Sequence, residues 1–170
     1  MTARHGHLIR NGTTDARRGR TTRPMETRET LSHVNFFRGA DSADLDAVAA
    51  IAEPAQYGAG ERIVDHTMQA DAFLIVVLGT VELTTAGKEF AVATVGSGQA
   101  LGVFAFFERG PHDWAASTRE STRVLRIPFD AFERVLSQRP GLALIFYRNV
   151  AAFFAHHLRQ LAADRDRPYV

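Results

Sequence analysis

Seven glycines, Gly58, Gly60, Gly79, Gly87, Gly96, Gly98 and Gly102, divide the stretch from Tyr57 to Gly102. The intervals hold short β-branched and apolar runs, and glycine punctuation of this kind marks turns between short strands. The pattern predicts strands at Ala72 to Leu78, Thr80 to Thr85 and Glu89 to Thr94, followed by Ala115 to Thr118 and Arg123 to Ile127. Short strands with no helical crossovers between them imply a barrel or sandwich rather than a parallel α/β sheet.

Helical signals flank this region. Leu31, Val34, Phe36 and Phe37 form an apolar lead-in, and Asp41-Ser42-Ala43-Asp44 is a helix-capping signal ahead of Leu45, Val48, Ala49 and Ala52 at helical spacing. That helix is expected to stop near Pro54. After the strands, Pro128 reads as a first-turn proline, with Phe129, Phe132, Val135 and Leu136 on one stripe. A second, longer helix is predicted from Pro140. Its apolar set is Leu142, Ile145, Phe146, Val150, Phe153, Phe154, His157 and Leu161. That stripe either packs wholly on the barrel or uses its far part against a symmetric partner.

Charge divides the chain unevenly. Arg4, Arg10, Arg17, Arg18, Arg20 and Arg23 stand against Asp15 alone, so the net charge of +1 hides a basic arm and an acidic body. With no aromatic residue and no apolar period, residues 1–30 read as an Arg-rich disordered tail, although Met25 to Leu31 is compatible with helix and Met25 with a translation start. Loose contact of the arm with nucleic acid is the competing reading. The domain is expected over 31–163, with 164–170 a polar tail. There is no cysteine, hence no disulfide frame or thiol nucleophile. No apolar run approaches the roughly 18 residues of a membrane span, and no signal-peptide core precedes the domain, so a cytoplasmic protein is expected.

Three glycine strings carry a more specific signal: Tyr57-Gly-Ala-Gly60-Glu61-Arg-Ile63, Leu78-Gly79-Thr-Val81-Glu-Leu83, and Val95-Gly96-Ser-Gly98-Gln-Ala-Leu101-Gly102. Together, from about Leu31 to Arg159, they resemble the cyclic nucleotide-binding domain of bacterial regulators of the catabolite-activator type. The resemblance implies a mainly β fold: an eight-stranded, jelly-roll-like β-roll with one N-terminal and two C-terminal helices. It also implies a phosphate-binding cassette, in which first-turn backbone N–H groups face the cyclic phosphate, an Arg pairs with it and a Glu takes the ribose hydroxyl.

Aligned to that cassette, Gly102, Val103, Phe104 and Ala105 keep the backbone frame, but Val103 stands at the Glu, His112 at the Arg and Asp113 at the hydroxyl position. Losing a charge-assisted partner costs roughly 1.5–3 kcal/mol and an unpaired hydroxyl roughly 1–3 more, which is about two to four orders of magnitude in affinity. Arg109 is the nearby guanidinium that a rearranged loop would need. The pocket is expected to be lined by Val103, Phe104, Phe106 and Trp114, unless Phe104 and Phe106 simply fill the core.

Competing chemistries lack their residues. The seven histidines are dispersed, and His156 and His157 point to different helix faces, so no metal site is expected. No cupin-type cluster, nucleophile elbow, phosphate-loop lysine or dinucleotide fingerprint is present, which argues against an enzyme. Sequence-specific DNA reading is not expected, since the chain ends soon after Leu161 without a helix-turn-helix. The reading is a stand-alone, non-catalytic regulatory or interaction module in which nucleotide binding is weak, altered or lost. A small-molecule ligand enters through the cassette residues. A homodimer or partner contact, or a lid, forms through Phe146, Val150, Phe153 and His157. The alternative is a true sensor of cyclic AMP or cyclic GMP, with the nucleotide as its bound ligand.

Overall fold

The computed structural model describes residues 24–85, 90–110, 112 and 114–165. The arginine-rich segment 1–23, Asp113 and residues 166–170 lie outside the described residues, as does the side chain of Leu161.

Eight strands form two antiparallel four-stranded sheets. The first sheet has the order β1-β8-β3-β6, made of β1 (Glu53–Tyr57), β8 (Thr122–Pro128), β3 (Ala72–Leu78) and β6 (Ala100–Leu101). The second has the order β2-β7-β4-β5, made of β2 (Arg62–Val64), β7 (Trp114–Thr118), β4 (Thr80–Thr85) and β5 (Ala93–Gly96). The continuous apolar run of β3 has a structural reason. Leu74 and Val76 face the barrel interior with Val81, Val95, Leu101 and Val124, while Phe73 and Ile75 face a second core under the helices. A strand buried on both faces has no polar face to show.

Three strands escaped the sequence pattern. Pro54 reads as a helix stop, yet it sits in β1, an edge strand of its sheet, where a missing N–H breaks no ladder. β2 and β6 are only three and two residues long. The strand expected at Glu89 to Thr94 is shifted: β5 runs Ala93–Gly96, in register Val81↔Val95 and Leu83↔Ala93, while Phe90 and Val92 are exposed.

Two N-terminal α-helices replace the one expected. α1 (Pro24–His33) occupies part of the stretch assigned to the tail, and it buries Leu31 and Thr27. A 3-10 turn (Asn35–Phe37) buries Phe36 and Phe37. α2 (Ser42–Ile51) starts where the sequence signalled: Asp41 Oδ1 accepts the Asp44 N–H at 2.8 Å. One further short helix, α3 (Val103–Glu108), interrupts the strands. Pro128 is the last residue of β8 and the extended cap of α4 (Phe129–Gln138), one residue ahead of its expected place inside the helix. α5 (Pro140–Arg165) extends past the expected boundary at 163.

The helical core is aromatic. Phe37, Phe73, Phe106 and Phe132 all pack around Phe146, with ring centroids 4.9–6.5 Å apart. Asn149 fastens α5 to the N-terminal segment by donating to Phe36 O at 3.1 Å and Arg38 O at 2.9 Å. These contacts divide α5. Leu142, Phe146 and Val150 are buried, whereas every residue from Ala151 to Gln160 is exposed. Phe146 and Val150, offered by the sequence as partner or lid residues, therefore belong to the molecule's own core.

Candidate ligand cavity

α3 follows directly on β6, and Gly102 makes the corner. Its backbone is left-handed (φ +81°), a conformation that a side chain disfavours, and a Cβ there would lie in ordinary contact with the Ala72 carbonyl and His112. The corner opens a cavity of about 400 Å³ between the barrel end, α3 and α5. Gly102, Val103, Phe104, Ala105, His112 and Trp114 all line it, with His112 beside Gly102, so the structure brings six of the sequence-predicted cassette residues together. The first N–H groups of a helix have no intrahelical partner, so the backbone frame of a cradle is retained here.

The side chains in that frame are apolar. Val103 is 3% exposed and packs into the helical core while bordering the cavity. His112 is buried; its ring lies 4.5 Å from that of Trp114, and its backbone N–H donates to Met68 O at 3.2 Å.

Arg109 is not in the cavity. It caps α3 in the left-handed region (φ 53°) and turns toward α4. There its guanidinium lies 5.2 Å from the ring centroids of both Phe106 and Phe129 and pairs with Asp130 at 3.4 Å and with Glu133. Gln69 Nε2 donates to the Arg109 carbonyl at 2.9 Å, fixing the turn from the other side. A cation over two rings and between two carboxylates is fully engaged.

Phe106 and Phe104 part ways. Phe106 is core, 4% exposed, and does not line the cavity. Phe104 is 41% exposed and forms part of the wall, its centroid 4.4 Å from Phe154 and 6.1 Å from Phe153. Of the two alternatives, core filling holds for Phe106 and pocket lining for Phe104: on a six-residue helix, positions 103 and 106 point inward and 104 points out. Phe153 also meets Phe36 at 5.5 Å and stacks on His157 at 6.0 Å. The start of the exposed part of α5 is therefore a wall of the cavity.

Leu83, Val95, Ala100, Leu101 and Phe154 also line the cavity without having been expected there, and so do Phe36 and Glu108. Phe36 arrives from the N-terminal 3-10 turn, far away in sequence, and no local pattern announces it. Glu108 lies four residues after Phe104, so helical spacing alone puts the two on one face of α3. No lysine or arginine lines the cavity among the described residues. Nor, among them, do three His, Asp or Glu side chains gather as a metal site would need.

Against known proteins, the family described as "Cyclic nucleotide-binding domain" matches residues 54–139, just over half of the chain. The chain belongs to this family. As a cyclic nucleotide-binding domain it is 21% identical, over 118 residues, to the CRP-like cAMP-activated global transcriptional regulator of Mycobacterium tuberculosis. That match takes in 68% of this chain and 53% of the relative, so the chain spans about half the length of the curated relative. The Thermus thermophilus catabolite activator protein superposes with a TM-score of 0.68 at 22% identity, covering 78% of this chain and 62% of that one. A cyclic nucleotide-binding domain from Methylobacillus flagellatus superposes with a TM-score of 0.70 at 15% identity, covering 84% and 82%. At these identities the superpositions establish the β-roll, not the ligand. No described helix of the domain is long and apolar enough to cross a membrane.

Proposed function

We propose that this cyclic nucleotide-binding domain is a non-catalytic regulatory module of the cytoplasm whose cassette holds cyclic AMP and cyclic GMP weakly or not at all. The observation that carries this is the placement of Arg109, turned out of the cavity onto Phe106 and Phe129 and into the carboxylates of Asp130 and Glu133. A cyclic phosphate in the cavity would meet backbone N–H groups but no described guanidinium, and Val103 offers the ribose hydroxyl no acceptor. Moving Arg109 inward would break its present contacts and leave two carboxylates unpaired on α4.

The output runs through α5. Phe153 and Phe154 border the cavity, and the exposed length beyond them is where a second copy or another protein docks, with Phe153 and His157 at the start of that surface. Sequence-specific DNA binding is not part of the proposal.

Isothermal calorimetry with cyclic AMP and cyclic GMP tests the reading. A dissociation constant tighter than about 10 μM, roughly −7 kcal/mol, overturns it in favour of a true nucleotide sensor. The triple variant Val103→Glu, His112→Arg, Asp113→Ser restores the three family side chains and is expected to bind at least tenfold tighter than the parent.

A further inference from the structure

The cavity differs from a phosphate site in more than the absence of a cation. Its charged lining residue, among those described, is a carboxylate. Glu108 sits on the same face of α3 as Phe104, and it makes no hydrogen bond or ion pair with another described residue. Arg109, the next residue, is committed to Asp130 and Glu133 on the far side of the helix. The cavity that Glu108 borders is also lined by aromatic side chains: Phe104 and Phe154, with ring centroids 4.4 Å apart, and Trp114. Aromatic faces with a carboxylate at their edge attract cations, through the ring quadrupole and through direct pairing, and repel phosphate. A volume of about 400 Å³ is within the range of small-molecule pockets.

We propose that the cavity takes an organic cation, an amine with an aromatic body. The ring lies among Phe104, Phe154 and Trp114, and the ammonium pairs with Glu108. This rests on the reading that a cyclic phosphate is not the ligand, and it adds the sign of the charge that is. Because Phe153 and Phe154 belong to α5, the same ligand bears on the helix through which the domain signals.

Three matched probes separate charge from shape: 2-phenylethylammonium, 2-phenylethanol and phenylacetate share one ring and one chain length. Trp114 is the chain's single tryptophan and lines the cavity, so its emission, excited at about 295 nm, reports binding without a label. The expected order of affinity is ammonium, then alcohol, then carboxylate, with about tenfold between the first two. Glu108→Gln, a substitution at an exposed position, is expected to bring the ammonium down to the alcohol and to leave the alcohol unchanged. Equal affinity for ammonium and alcohol, preference for the carboxylate, no response to any probe at millimolar concentration, or cation preference that survives Glu108→Gln would each overturn the proposal. Cyclic AMP titrated in the same assay keeps the two readings apart. Tight nucleotide binding defeats the earlier reading, whereas weak nucleotide binding without cation preference defeats only this one.

Discussion

Arg109 performs two tasks that pull in opposite directions, and a pair of substitutions separates them. Its side chain joins α3 to α4, while its backbone occupies the left-handed region at φ 53°. In Arg109→Ala the side-chain contacts go and the backbone conformation stays. The ion pairs involve partners that are largely exposed, 84% for Asp130 and 54% for Glu133, so together they contribute no more than about 1 kcal/mol. The two ring contacts add about 0.5–1 kcal/mol. The alanine variant is therefore expected to lose about 1–2 kcal/mol. Arg109→Gly loses the same contacts but removes the cost of a Cβ at positive φ, and is expected to recover about 1 kcal/mol of that. The Gln69 bond accepts at the backbone carbonyl and survives in both. Urea denaturation followed by tryptophan fluorescence resolves such a difference as a shift of about 0.5 M in midpoint. If alanine proves as stable as glycine, the left-handed turn is not a feature of the folded protein. If either substitution weakens cyclic nucleotide binding by more than tenfold, the guanidinium serves the cavity rather than Asp130 and Glu133 on α4.

A harsher glycine test lies at the β3–β4 turn. A Cβ on Gly79 (φ +94°) would fall 2.5 Å from Thr122 Oγ1 and 2.9 Å from Ser121 O, so Gly79→Ala is expected to cost about 2–5 kcal/mol in urea denaturation. Gly60 has positive φ but nothing within 4 Å, so Gly60→Ala should cost only about 1 kcal/mol; equal costs would contradict the packing described. Tyr57 supplies a pH test. Burial, followed by the nearby Glu61 carboxylate, raises its phenol above the ordinary value near 10, so the folded state holds the proton more tightly than the unfolded chain does. The stability this provides is complete below pH 10 and is lost as pH rises through the folded value. A Tyr57→Phe variant is expected to show a shallower alkaline loss of stability in pH-dependent denaturation, and an unchanged slope would count against the assignment.

The legible parts of the fold were those written in local pattern. The doubly buried β3, the Asp41 cap and the stripe of α4 each follow from adjacent residues, and so does the corner at Gly102. β1 was hidden because proline signals a helix end more loudly than an edge strand. Phe36 was invisible as a cavity residue because only the folded chain brings the 3-10 turn to the cassette. The division of α5 was legible as a question only. Its stripe is continuous through Val150 and Phe153, and the place where packing stops depends on how far the Asn149 anchorage and the Phe146 cluster reach.

That division makes α5 a helix of two stabilities. Its first half is held by the aromatic core, so its amides open only when the domain unfolds. The exposed half has already been nucleated and propagates on helical propensity, with little tertiary contact to resist fraying from the far end. Hydrogen-exchange protection should thus fall in steps along one continuous helix, with the step just after Phe153 and Phe154, whose rings line the cavity and tie the outer turns to Phe36 and Phe104.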